Sequence, residues 1–203
     1  VISAVRPLSR AEAPLIADII ADAFHDDPLM LWIFARAARA KASYAAIARA
    51  VHLKVGFGDV AAGGEGGTLW LPPGARDTAG LLANATIIAR IFAAGGARAL
   101  GRARAASAAV LALKPLEPHY YLYALGVRPG ARRRGLGTAL MAGPLARCDA
   151  EGIPACLESS KEANLPFYES LGFRVTGAAA IPGGPPVWLM RRTPGATRVV
   201  AAC

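Results

Sequence analysis

Apolar residues along this chain alternate between helical spacing and short continuous runs, and the switches lay out helices and strands in turn. Ile2–Arg6 reads as an edge strand. Ser9-Arg10-Ala11-Glu12 is a capping box, and Leu15, Ile16, Ile19, Ile20 and Phe24 follow it on one face of a helix. Asp26-Asp27-Pro28 interrupts that helix, and a second is predicted over Leu29–Val55, with basic residues at Arg36, Arg39, Lys41 and Arg49. Val55–Ala61, a Gly63-Gly64-Glu65-Gly66-Gly67 turn and Thr68–Leu71 read as a hairpin, closed by Pro72-Pro73-Gly74. Two Ala-rich helices are predicted over Thr78–Ala94 and Arg98–Leu113, separated by Gly95-Gly96, and Lys114–Pro118 is a linker.

The second half repeats the alternation with shorter pieces. His119–Val127 is a strand dense in aromatic and aliphatic residues. Arg128-Pro129-Gly130 is a turn, and Leu136, Leu140, Met141, Leu145 and Cys148 mark a helix that stops at Gly152. Ile153–Glu158 is a short strand followed by a Ser/Lys loop. Asn164 caps a helix carrying Phe167, Tyr168 and Leu171 that ends at Gly172. Phe173–Val175 and Val187–Arg191 are strands around a Pro/Gly turn, Pro182–Pro186, and the tail from Thr193 reads as loose. No internal repeat is visible.

Composition narrows the class. A chain of 203 residues suits one α/β domain, here Val1–Arg192, and is long enough to bury a core. The hydrophobic fraction of 54% is inflated by alanine. No charge-free run approaches the ~18–20 residues of a spanning helix, so no membrane association is expected. The first residues show no basic-then-apolar leader, and a cytoplasmic location is expected. Cys148, Cys156 and Cys203 share no metal spacing; they read as reduced thiols, and no metal site is expected. The net charge of +9 is carried mostly by arginine. A polyphosphate ligand and a compositional preference for Ala and Arg account for it without nucleic acid, which is not an expected partner.

The most informative stretch runs from His119 to Gly152: a strand, a Gly/Arg-rich loop, then a helix. Free amides at a helix start, flanked by Arg132, Arg133 and Arg134, suit an anion. A nucleoside-triphosphate loop would need Lys and Ser/Thr where Leu136 and Gly137 stand, and a dinucleotide fingerprint would need Gly where Leu140 stands. What remains is R-x-x-G-x-G, made by Arg132, Gly135 and Gly137. On its own this pattern also fits a basic turn before an ordinary helix. It resembles the pyrophosphate-binding motif of the GCN5-related N-acetyltransferases, the GNAT superfamily. Asn164-Leu165-Pro166-Phe167-Tyr168-Glu169-Ser170-Leu171-Gly172-Phe173 is similar to a second signature of that superfamily, in the right order and at about the right distance. The resemblance covers about Ile2–Arg191, and its specific part is His119–Phe173. From Lys114 onward the chain is most similar to the puromycin N-acetyltransferase-like branch.

The resemblance implies an α/β (α+β) GNAT fold, with a mixed, mostly antiparallel central sheet of about 6–7 strands flanked by helices. It implies acetyl-CoA as cofactor. The backbone of Leu125, Gly126 and Val127 would align the pantetheine arm and polarise the thioester. Arg132, Arg133, Arg134, Gly135, Leu136, Gly137 and Thr138 would hold the diphosphate, and Asn164 would hydrogen-bond the arm.

Within that frame Tyr168 is the candidate general acid, since a phenol of ordinary pKa ~10 is near enough to a thiol's ~8.5 to protonate a departing thiolate. Glu158, a carboxylate ending an otherwise apolar or small-residue strand, is the candidate base. Its ordinary pKa of ~4.3 is low for that task, so it would act through water or in a partly buried setting. Phe24, Asp27 and Trp32, with Asp26, form an acidic-aromatic cluster suited to a cationic amine with an apolar body; Asp26-Asp27-Pro28 equally fits a helix cap.

The reading is an acetyl-CoA-dependent N-acetyltransferase that acetylates a primary amine of a small molecule by direct transfer in a ternary complex. The long helical insertion before His119 argues for an enclosed pocket. Nothing beside Cys156 looks like a base that would activate it for a covalent route. Protein acetylation at a lysine or N-terminal amine, and a non-catalytic CoA-binding module, are the alternatives. A homodimer is left open.

Overall fold

The computed structural model describes residues 3–75 and 80–196. Its centre is a seven-stranded sheet built from β1 (Val5–Pro7), β2 (Asp59–Ala61), β3 (Gly66–Leu71), β4 (Tyr120–Val127), β5 (Ala155–Ser159), β6 (Arg174–Ala179) and β7 (Val187–Arg192). The spatial order is β1-β2-β3-β4-β5-β7-β6, and every neighbouring pair is antiparallel except β4–β5. The mixed, mostly antiparallel sheet expected from the sequence is the one found.

Side-chain alternation along the strands divides the core into two layers. On one face Leu122 and Leu157 pack with α6 (Leu136–Glu151) and α7 (Leu165–Ser170), through Met141, Leu145, Cys148, Tyr168 and Phe173. On the other, Val60, Leu69 and Ala124 meet α1 (Ala13–Ala23), α2 (Pro28–Phe34) and α3 (Lys41–Ile47). The apolar spacings read from the sequence are the buried stripes: Ile16, Ile19 and Ile20 of α1 are fully buried, as are Leu140 and Met141 of α6. Ser9 closes its capping box, its Oγ and its amide both donating to Glu12 Oε2, at 2.8 and 2.9 Å. A 3₁₀ turn (Arg10–Glu12) separates the box from α1.

The span Leu29–Val55 is not one helix. It breaks into α2, a 3₁₀ turn (Ala37–Ala40), α3, a π-helical turn (Ala48–His52) and the single helical turn α4 (Leu53–Val55). A straight helix over that span would run about 40 Å. Instead Ala35 adopts a left-handed conformation, φ 61°, which reverses the chain so that Phe34 and Tyr44 are both buried in the α1 core. The next helix, α5 (Leu81–Leu111), carries the expected break: Gly95 and Gly96 leave helical geometry, Gly96 at φ 67°. The predicted start at Thr78 lies outside the described residues. Asn164 stands at the start of α7 with helical backbone angles, and its side chain makes no capping bond, so it is not the cap the sequence suggested.

Arg192 is 5% exposed and joins three elements. Its guanidinium donates to both carboxylate oxygens of Asp149 on α6, at 2.6 and 2.8 Å, to Leu171 O at 2.9 Å and to Ala196 O at 3.1 Å. Residues 193–196, read as the start of a loose tail, are tied back here, with the Gly195 amide donating to Asp149 Oδ1 at 2.7 Å. Residues 197–203 of that expected tail, Cys203 included, lie outside the described residues. Hydrogen bonds from Arg192 hold the Asp149 carboxyl below its ordinary range. A depressed folded-state pKa stabilises above the unfolded value and is lost as pH falls through the folded one. Asp149→Asn is therefore expected to cost about 2 kcal/mol at pH 7. In denaturant melts, the gap to the parent should close toward the acid end; a gap constant from pH 7 to acid would contradict the pairing.

Candidate active site

The parallel pairing of β4 and β5 runs from Tyr120↔Ala155 to Leu122↔Leu157 and then stops, although both strands continue. Beyond it, β4 pairs with β3 alone and β5 with β7 alone. The divergence begins at a bulge. Leu69 faces Ala124 and Trp70 faces Leu122, so Tyr123 is an extra residue on β4. The alternation shows the same break, because Tyr123 and Ala124, consecutive in sequence, both pack toward α1 and α3. The backbone of β4 over Leu125–Val127 thus borders an opening instead of a strand.

That opening is a cleft of about 350 Å³. Among its walls are Leu125 and Val127 of β4, Glu158 at the end of β5, Asn164 and Tyr168 at α7, and Phe24 and Asp27 between α1 and α2. Arg132, Arg133, Gly135, Leu136, Gly137 and Thr138 form its loop end. Gly126 faces away: a Cβ there would lie 3.1 Å from Ala23 Cβ, so glycine lets α1 seat against β4. Arg134 is exposed and does not line the cleft. Neither does Trp32, which packs with Ile181, Val187 and Leu189 and holds Arg102 over its ring at 4.9 Å.

The loop owes its shape to two left-handed residues, Arg133 (φ 60°) and Gly135 (φ 76°), just before α6. Helix-start amides have no intrahelical acceptor; Ala139 is the first amide of α6 to reach one, donating to Gly135 O at 3.0 Å. The amides before it can meet an anion, helped by the helix dipole. Arginine 132 does a different job from the one its motif suggested. Its Nε donates to Val127 O at 3.2 Å and its Nη2 to Ala23 O at 2.7 Å, clamping the loop between the end of β4 and the carbonyl end of α1. Arg128 adds an ion pair to Asp22 and a bond to Gly64 O at 3.0 Å. Arg133 is left as an exposed guanidinium on the cleft wall.

The acidic pair is also engaged. Asp27 Oδ1 caps α2, accepting from the Met30 amide at 2.9 Å, and Oδ2 accepts from Ser160 Oγ at 2.5 Å. Asp26 pairs with Lys161, whose hydrogen bond holds its carboxyl below the ordinary range. The α1–α2 turn is thereby strapped to the β5–α7 loop, a contact that nothing in the spacing of Asp26 and Ser160 announces. Asp27 is the helix cap the sequence allowed, and it also lines the cleft.

Tyr168 is 8% exposed and packs on Phe167 and Phe173. Its hydroxyl makes no hydrogen bond to the described residues, and burial, then the Asp27 charge, raises its pKa above the usual phenol range. Glu158 accepts a short hydrogen bond from Tyr121, a residue the sequence reading passed over. Its signal was present in the alternation of His119–Val127, which puts Tyr121 on the opposite face from Tyr120 and Leu122. Cys156 is buried, outside the cleft, and burial pushes its thiol up to about 12, which leaves it inert as a nucleophile. Among the described residues no His, Cys, Asp or Glu cluster could hold a metal ion, and no helix is long and apolar enough to cross a membrane.

A sheet with one splayed strand pair, beside a helix that opens on a glycine loop, suits an extended, phosphate-bearing ligand. Residues 88–175 match the acetyltransferase (GNAT) domain. Solved structures share the whole fold. The histone acetyltransferase HPA2 and related acetyltransferase of Corynebacterium glutamicum is 24% identical with a TM-score of 0.71, over 98% of this chain and 100% of that one. Arylalkylamine N-acetyltransferase 2 of Aedes aegypti is 12% identical with a TM-score of 0.62, over 94% and 98%. The ribosomal-protein-S18-alanine N-acetyltransferase of Escherichia coli is 16% identical with a TM-score of 0.54, over 100% of both. At these identities the structural likeness is one of fold. The chain matches a GNAT acetyltransferase domain over residues 88–175. It is an acyltransferase, and acetyl-CoA is its acetyl donor.

The clamp yields a test. Arg132→Lys keeps the charge and loses the two-carbonyl geometry, and is expected to weaken acetyl-CoA binding about tenfold by calorimetry. Arg134→Ala, outside the cleft, should stay within about twofold. The reverse ranking would show that the loop is held by something other than Arg132.

Proposed function

We propose that this enzyme acetylates a primary amine of a small molecule, by direct transfer within a ternary complex. The observation that carries the small-molecule reading is the strap from Asp26 and Asp27 to Lys161 and Ser160, which crosses the side of the cleft where an acceptor would enter. α2 and α5 pack together behind that turn, and a protein chain would need an open groove where the strap lies. A cleft of about 350 Å³ is within the range of small-ligand sites.

When bound, acetyl-CoA supplies an activated thioester. Its fit rests on this chain's own groups: the amides at the start of α6 and Arg133 for the diphosphate, the free edge of β4 over Leu125–Val127 for the arm, and Asn164, whose side chain is not used as a cap, for an amide of the arm. Glu158 takes the proton of the attacking amine, directly or through water, as the C–N bond forms. Tyr168 gives its proton to the sulfur as the C–S bond breaks. Because burial raises the Tyr168 pKa, that transfer must accompany cleavage and cannot precede it. Phe24 and Asp27 face the acceptor, while Trp32, on α2, packs away from it.

Thiol release should be followed with acetyl-CoA and a panel of aminonucleosides, aminoglycosides, polyamines, amino acids and short peptides. Turnover of a non-peptide amine is expected; turnover confined to the peptides would replace the small-molecule reading with protein acetylation. Tyr168→Phe should lower kcat about 10²-fold with acetyl-CoA binding retained. An unchanged kcat would remove Tyr168 from the acid role, and binding of acetyl-CoA with no turnover of any acceptor would favour a non-catalytic module.

A further inference from the structure

The Tyr121 hydroxyl and the Glu158 carboxylate sit on the face of the sheet away from α6, joined across the last paired stretch of β4 and β5. Tyr121 is opposite Cys156 in the register, so Glu158 is two residues further along β5 on the same face. Tyr121 does not line the main cleft. It lines a separate small recess, walled also by Lys114, Cys156 and Thr176, and Glu158 is the residue that borders both spaces. The Lys114 ammonium stands 3.7 Å from the centre of the Tyr121 ring. The ring is 8% exposed, packed with Val51 and Leu71, so its hydroxyl is held in place by the core.

We propose that Tyr121 is a positioning residue for Glu158: from behind the sheet its hydroxyl fixes one carboxylate oxygen, orienting the group into the cleft and favouring its ionised form. This rests on the reading of Glu158 as the base. At the point where β5 leaves β4, this hydrogen bond narrows the rotamers open to Glu158. A base must lie within about 3 Å of the proton it takes, so a fixed rotamer is part of its efficiency. A hydrogen bond donated to a carboxylate also stabilises its charged state, which keeps the base competent to lower pH.

Several charged groups nearby have partners that survive loss of the hydroxyl. Arg191 of β7 pairs with Glu117 at 2.9 Å, and the His119 ring nitrogen lies 2.7 Å from Glu117 O. Across the cleft Lys161 pairs with Asp26, Asp27 is bonded to Ser160, and Arg132 is bonded to carbonyls. Arg133 keeps its place on the loop. Lys114 can stand over a phenylalanine ring as over a tyrosine. The Cys156 thiol, pushed up to about 12, and Tyr168, pushed above the usual phenol range, do not titrate near neutrality. The titration is therefore to be read on the Glu158 carboxyl itself and not inferred from rate alone.

The test is Tyr121→Phe in the whole chain, with acetyl-CoA affinity as the check that the fold is kept. In protein labelled with ¹³C at glutamate carboxyls, the Glu158 resonance is assigned by its loss in Glu158→Gln. Its titration midpoint should rise by about one pH unit in Tyr121→Phe. With the fastest amine of the panel, kcat should fall about tenfold and the acid limb of kcat/KM should move up by the same shift. In the Glu158→Gln background Tyr121→Phe should have no further effect on rate. If Tyr121→Phe does not fold, 3-fluorotyrosine at position 121, a more acidic phenol of nearly the same shape, should move the midpoint down instead. An unmoved midpoint, or a rate loss with no shift of the limb, overturns the positioning role. Full activity in Glu158→Gln would instead remove the base reading beneath it.

Discussion

The structure depends on one backbone event, the parting of β4 from β5 after Leu122 and Leu157. Sheet edges carry unsatisfied amides and carbonyls that proteins ordinarily cover. Here the parting is built in by an extra residue, Tyr123, and each strand keeps a full partner on its far side. The opening is held rigid by the two packed layers. Because an extended ligand can supply the missing pairing, the interruption of the sheet and the donor site are one feature. The walls follow from it: β4 leads into the loop before α6, and β5 leads through Ser160 and Lys161 into α7.

A second constraint is electrostatic. Most charged groups around the cleft hold the scaffold in place. Arg128 and Arg132 sit on the carbonyl end of α1, where the helix dipole favours a cation. Asp26 and Asp27 close the opposite rim. Polar groups fixed before a ligand arrives need no reorganisation when it binds or reacts. This shifts the interpretation of the motif: its first arginine shapes the loop, which leaves the loop amides as the groups proposed for the anion.

The proposed acid and base stand on different structural terms. Tyr168 is surrounded by Phe167 and Phe173 on the α6–α7 side, and burial sets its protonation. Glu158 is anchored by a tyrosine from the neighbouring strand on the other side of the sheet. The two roles therefore draw on separate layers of the core, with the splayed backbone between them.

The sequence by itself determined most of the elements and two walls of the cleft, the loop before α6 and Tyr168. Periodicity picked out the buried stripes of α1 and α6, turn residues marked the hairpin and the Gly95-Gly96 break, and two local motifs located the loop and Tyr168, because each of these is written in residues a few positions apart. What only the tertiary structure decided joins distant segments. The reversal at Ala35 serves packing of α3 on α1, since local propensity alone would have carried a helix through. The Arg132 clamp reaches Ala23, the rim joins Asp27 to Ser160, and Tyr121 meets Glu158 across two strands. Trp32 sits near the acidic pair in sequence, yet α2 turns its ring onto Ile181, Val187 and Leu189 and out of the cleft. Spacing along a chain fixes which face of an element a residue occupies; what that face meets depends on where the other elements come to rest.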